Sequence, residues 1–235
     1  LLFLTVWELF ADFHIIDSFF FSSPSRVVAC FVRMVSERSL FTHIGITLTE
    51  TVISFFLVAL VSLSAATLLW YSRRLSEILE PFLVVLNSLP KSALAPLLIV
   101  WLGTGMDTII AAGISVAIFG AIINLYTGFL QADPEKLLLI RTLGGTRRDC
   151  FFKVVLPASI PVILSNMKVN IGLSLVGVVI GEFLAARRGL GYLIIYGSQV
   201  LQLDMLITSI LLLCIIAMGL YQLLQFAEHC YKKKV

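Results

Sequence analysis

Residues 51–71, 108–132 and 205–227 contain no Asp, Glu, Lys or Arg. Each is long enough, at about 20 residues, to cross the hydrocarbon core of a bilayer as a helix. Inside that core a helix is one of very few structures that satisfies its own backbone hydrogen bonds. The rest of the composition agrees. Hydrophobic residues make up 59% of the 235 and charged residues only 13%, and the mean hydropathy is +1.02. A water-soluble globule could not hide that much apolar surface. Soluble enzymes, disordered tails and nucleic-acid-binding modules are all disfavoured, and a net charge of +3 points to no polyanionic partner. The expected fold is all-α, a polytopic membrane helical bundle embedded in a lipid bilayer.

Further spans follow from the same reasoning. Residues 154–181 are interrupted only by Lys168, and the uncharged runs 81–90 and 92–106 are separated by Lys91. Residues 1–13 are expected to be the end of a first spanning helix trimmed at its start. The acidic Glu8 and Asp12, and the lack of a small-residue cleavage site, argue against a signal peptide there. The total expected is about six spans. Cys30, Cys150, Cys214 and Cys230 show no Cys-x-x-Cys spacing and no nearby His pattern, so neither a metal site nor a disulfide framework is expected.

Prolines shape two of the spans. Pro90 and Pro96 each remove a helix donor and crowd the preceding turn, so the span across residues 81–106 should be kinked or split. Pro157 and Pro161 fall in the first turns of theirs, where a missing N–H is best tolerated. Such breaks either kink a packed helix or face a wet cavity. Between the first two spans, residues 24–36 place Val27, Val28, Phe31, Met34 and Val35 at helical spacing, with Arg26 and Arg33 off that stripe. This is read as an amphipathic helix lying along the membrane interface.

Orientation follows from basic residues near the helix ends. One side collects Arg73, Arg74, Lys136, Arg141, Arg147, Arg148, Lys153, Lys232, Lys233 and Lys234; the other has Arg26, Arg33, Arg38, Arg187 and Arg188. The richer side is assigned to the cytoplasm, together with the connection formed by residues 131–153. There Asp133 is placed to cap a short helix with Pro134 at its first position, Leu137, Leu138, Ile140 and Arg141 continue in register, and Gly144-Gly145 ends it. A short charged helix rooted in two spans suits docking of a soluble partner. By composition alone it is equally an ordinary solvated loop.

Residues 138–157 resemble the permease signature of binding-protein-dependent ABC importers, written Glu-Ala-Ala, three residues, Gly, nine residues, Ile-x-Leu-Pro. Gly144 matches the glycine and Val154-Val155-Leu156-Pro157 the end. The triplet differs: it is Leu138-Leu139-Ile140, without the acidic member. Residues 88–105 (SLPKSALAPLLIVWLGTG) look like the Pro-Lys-x-Ala-x-x-Pro-Leu stretch of the nitrate/sulfonate/taurine-type permeases. Asp133-Pro134 with Arg141-Thr142-Leu143-Gly144, the run Gly181-Glu182 followed by Gly189-Leu190-Gly191, and residues 20–25 with His43 resemble further parts of that subfamily. The resemblance covers nearly the whole chain.

The resemblance implies one of two membrane subunits, pairing as a homo- or heterodimer, multi-pass in a bacterial inner or plasma membrane. Residues 1–43 would hold the first helix and the interfacial helix, and residues 44–235 the permease domain. Cytoplasmic ABC ATPase subunits would dock on the 131–153 loop, with Asp133, Leu138, Leu139, Ile140, Arg141, Gly144, Leu156 and Pro157 as the coupling residues. An extracytoplasmic solute-binding protein would deliver the solute. No cofactor is expected on this chain; ATP and Mg would belong to the ATPase. The sequence supports that division on its own terms, since it has no G-x-x-x-x-G-K-[ST] phosphate loop. The chain is therefore expected to be no enzyme, and no catalytic or metal-binding residue is assigned.

Polar groups at membrane depth usually face the bundle interior. Asn166, Lys168, Asn170 and Glu182 are candidates for the solute path, with Asn166 and Asn170 on one helix face and Lys168 nearer the opposite one. A cation there would suit an anionic solute; alternatively Lys168 pairs with Glu182 or an interhelical carbonyl for structure. The solute itself is expected to be small, anionic or a vitamin precursor. Gly177-x-x-x-Gly181 permits close helix approach, either to a partner permease or within the chain. Lys91 either sits at the break of the split span or snorkels to an interface. From another class, an ion-coupled secondary transporter would also use broken helices and midplane charges, and it stays open as the alternative.

Overall fold

A computed structural model describes residues 2–13 and 21–232. Leu1, Phe20, Lys233 and Lys234, on which parts of the reading above rest, lie outside the described residues. Among the described residues every regular element is helical: α1 (Leu2–Asp12), α2 (Pro24–Ser36), α3 (Ser39–Tyr71), α4 (Arg73–Ser88), α5 (Lys91–Leu102), α6 (Met106–Leu130), α7 (Pro134–Thr142), α8 (Arg147–Cys150), a π-helical turn (Phe151–Val155), α9 (Leu156–Ala185), α10 (Leu190–Gln199) and α11 (Leu203–Lys232). Among the described residues four helical stretches are long and apolar enough to span a membrane, and α4 with α5, bent by 96°, make a fifth where the pair counts as one broken span. Among the described residues the expected sixth is the 11-residue α1, too short to cross alone.

The bend lies where the prolines predict it. Leu89 and Pro90 are both extended between the two helices, as expected for a residue forced out of the helical region by the proline after it. Pro96 and Pro81 do not share that effect and stay inside α5 and α4. Lys91 sits at the break, its ammonium donating to the Leu86 carbonyl and lying 4.9 Å from the Phe119 ring centroid. The π turn ends two residues before Pro157, whose missing N–H weakens the regular ladder.

The bundle centre is α3, α6 and α9 packed on one another, with α11 and α10 against α9, α2 against α11, and the bent pair against α6. Lipid supplies no hydrophobic force between helices, so close association depends on small residues at the contact. A Cβ on Gly177 would lie 2.8 Å from the Ala112 carbonyl oxygen, and one on Gly181 2.9 Å from the Ile109 Cα. The Gly177-x-x-x-Gly181 pattern is therefore spent inside the chain, on α6. Large apolar side chains such as Phe56, Leu60 and Val100 point outward.

Two sequence readings need correction. Glu50 was the acidic residue that set the start of the second span at Thr51, yet α3 begins at Ser39 and buries Glu50 within the bundle. The helix therefore also runs through the 43/44 domain boundary. In α2 the buried stripe is Val27, Cys30 and Met34, while Val28 is 61% exposed and Phe31 is exposed too. Arg26 explains the rotation: its guanidinium pairs with Asp204 at 3.0 Å, and Ser22 donates to the same carboxylate at 2.6 Å. The helix docks onto α11 through that contact.

Gly177→Leu should destabilise the bundle by about 1–3 kcal/mol through overpacking against α6. Gly172→Leu, where a Cβ meets nothing within 4 Å, should leave stability unchanged. Thermal melting of the two variants in detergent, side by side, checks the pair.

Candidate functional site

The 131–153 connection is built by local sequence rules. Asp133 accepts the Glu135 N–H at 2.9 Å and caps α7, with Pro134 in the first turn. At the other end Gly144 takes φ +83°, the Gly144 N–H donates to the Arg141 carbonyl at 3.0 Å, and the Gly145 N–H donates to Ile140 at 2.9 Å. That pair of bonds is a Schellman motif, which needs a residue free to adopt the left-handed region. Thr146 and Asp149 then form a reciprocal capping box that starts α8. The chain thus reverses within a few residues and re-enters the bundle.

The loop is anchored from below. Leu137, Leu156 and Phe151 pack with Leu125, Phe129 and Trp70, Cys150 is fully buried, and Arg147 donates to the Tyr71 carbonyl at 2.8 Å. On α7 and its C-cap three large apolar side chains remain outside: Leu138, Leu139 and Leu143 are 62%, 58% and 75% exposed; Phe152 of the π turn is exposed as well. Of the predicted coupling residues, Asp133 and Gly144 shape the helix, Leu138, Leu139 and Arg141 face outward, Ile140 and Leu156 are half-buried, and Pro157 is exposed. Leu143 and Arg147 carry as much of this arrangement and were not singled out. Leu143 was hidden by its place beside the glycines, which reads as a terminator.

At the opposite end, a polar cluster fastens the turn between α9 and α10. Glu182 is fully buried. Its carboxylate accepts from the Thr47 hydroxyl at 2.6 Å and the Gly191 N–H at 2.5 Å. Thr47 accepts in turn from the Leu190 N–H at 2.9 Å, and His43 Nδ1 accepts from the Gly189 N–H at 2.9 Å. Gly189 has φ +117°, and any Cβ there would strike the Glu182 carboxyl. Glu50, one turn beyond Thr47, is buried too, and its Oε2 has no hydrogen-bond partner. It also lines a cleft of about 380 Å³ with Thr104, Arg187 and Arg188.

The intramembrane candidates separate. Lys168 pairs with Glu228 of α11 at 2.6 Å, and not with Glu182. Asn166 and Asn170 are buried on the other face of α9. Asn166 donates to the Ala121 carbonyl at 3.4 Å while its Oδ1 has no donor. Glu228 escaped sequence reasoning because it follows the last uncharged window directly and so reads as a helix-end charge.

Thr47→Val, which removes both a donor to Glu182 and an acceptor for Leu190, should lower stability by about 1–3 kcal/mol in chemical unfolding. Lys168→Met and Glu228→Met should each lower the melting temperature, and the double substitution should recover most of the loss, because a lone charge at depth is worse than none.

Comparison with known proteins gives concordant results. The family model described as "Binding-protein-dependent transport system inner membrane component" matches residues 58–227. A "Probable ABC transporter permease protein" of Haemophilus influenzae is 30% identical over 226 residues, covering 96% of this chain and 91% of that protein. The formylaminopyrimidine transport permease protein of Halalkalibacterium halodurans is 28% identical over 192 residues, 82% of this chain and 76% of its own length. The taurine transport system permease protein of Escherichia coli is 26% identical over 220 residues, covering 91% and 80%. The fold is also that of a chain in the inward facing MetNI methionine ABC transporter, with a TM-score of 0.70 at 20% identity over 85% of this chain and 97% of that one.

Proposed function

This chain belongs to the family of binding-protein-dependent transport system inner membrane components, and from that premise we propose that it couples a separate cytoplasmic ATPase to solute import. It is a multi-helix membrane permease of the ABC type, and its own sequence has no phosphate-binding loop. Membership in a binding-protein-dependent family sets aside the ion-coupled alternative.

The observation that carries this reading is α7. A nine-residue helix stands at one end of the bundle, capped at both termini, rooted through Leu137, Cys150 and Arg147, and tipped with Leu138, Leu139 and Leu143. Exposed leucines beyond the ends of the spans have neither lipid nor core to cover them, so a protein groove is their natural partner. Because the helix is rooted in both α6 and α9, motion of a docked ATPase passes to the two central spans. Asp133, Gly144 and Arg147 hold the lever stiff; Leu138, Leu139, Leu143 and Arg141 meet the partner.

The orientation follows: the α7 end faces the bacterial cytoplasm, and the turn held by Glu182, with Arg187 and Arg188 beside it, faces the solute-binding protein. A second permease subunit completes the path. The solute is a small organic compound.

Leu138→Asp combined with Leu143→Asp changes two exposed positions and should leave membrane insertion and melting intact. Co-purification with the ATPase subunit should fall by about tenfold or more. Undiminished co-purification of the ATPase would refute the assignment.

A further inference from the structure

A second cleft, about 480 Å³, opens between α6 and α9 in the half of the bundle nearer α7. On α6 it is lined by Asn124 and Thr127, with Gln131 just past the helix end, and on α9 by Ser165 and Asn166. Asn124, Thr127 and Gln131 stand at i, i+3 and i+7 and share a face. All three are exposed, as is Ser165. Hydrocarbon cannot satisfy such a row of amides and hydroxyls, so this face does not meet lipid.

The lining sets the hydrogen-bonding side chains of Asn124, Thr127, Gln131, Ser165 and Asn166 beside the apolar Pro161, Val162 and Val169, and it holds no ionisable side chain. Asn166 is 6% exposed, its amide nitrogen is engaged by Ala121, and its carbonyl oxygen lacks a donor. A free acceptor asks for an N–H or O–H. It repels an anion, and no cation of the cleft offsets that. Lys168, two residues along α9, is directed to Glu228 and neutralised by it.

We propose that this cleft is the solute path nearest the ATPase, built for a neutral hydrogen-bonding organic molecule, a planar amide or nitrogen heterocycle, and not for an anion. The proposal rests on the permease reading above and gives that path its substrate class. Amide side chains present a donor and an acceptor side by side, which matches the edge of such a solute, and the volume lies in the usual range for small-molecule sites. An anion would enter a low-dielectric slot with no counter-charge.

The test uses the detergent-solubilised permease purified with its partner subunits. Its probes are nicotinamide and nicotinate, a neutral and an anionic molecule of nearly the same shape, observed by saturation-transfer NMR. Nicotinamide should give the stronger signal, and Thr127→Val and Asn124→Leu, both at exposed positions, should each weaken it by about fivefold, one hydrogen bond's worth. Equal signals, a stronger nicotinate signal, no nicotinamide signal, or signals untouched by both substitutions would overturn the proposal. So would substitutions that alter only the association of two permease chains, since the row would then be an interface. Failure of the ATPase to co-purify is a separate result and refutes the docking assignment instead.

Discussion

The bilayer offers helices no hydrophobic reason to associate with one another, and everything in this bundle follows from how that lack is met. Contact between α6 and α9 depends on backbone approach at Gly177 and Gly181, where a single Cβ would collide with Ala112 or Ile109. Gly113 meets Ser54 of α3 in the same way, with a Cβ placed 2.6 Å from the Ser54 hydroxyl. The three central helices thus approach one another through small residues.

Polar contacts supply what packing does not. Glu182 ties α9 to Thr47 of α3 and to the start of α10, and Arg26 with Asp204 ties α2 to α11. Lys168 with Glu228 joins α9 to α11. Each is a specific fastening between elements distant in sequence. At the α7 end local caps and a Schellman turn add to an aromatic cluster that joins Phe151 to Trp70 and Phe129. The contrast suits a permease: one end is a stiff handle, the other a glycine-bearing turn held by a buried carboxylate.

Local devices were legible in the sequence because their physics is local. The limits of α2, the Asp133-Pro134 start and Gly144-Gly145 stop of α7, and the break at Leu89-Pro90 all follow from capping and proline rules. Charge was the misleading signal. Glu50 and Glu228 read as span-end residues, yet Glu50 is buried within α3 and Glu228 is the partner of Lys168. A one-dimensional window treats a carboxylate as a boundary, whereas the fold can surround it with donors.

By itself the sequence determined the solvent, the helical class, the approximate spans and the short capped helix α7, since uncharged run length and helix termini need no knowledge of neighbours. Only the tertiary structure decided which polar groups are partnered. Lys168 lost its place as a free cation to Glu228 of α11, and Glu182 became the clasp of the Gly189 turn. Asn166 kept an unpaired carbonyl beside a neutral cleft. Pairing across a bundle depends on the rotation of each helix about its axis, and that rotation is set by contacts between residues far apart in the chain.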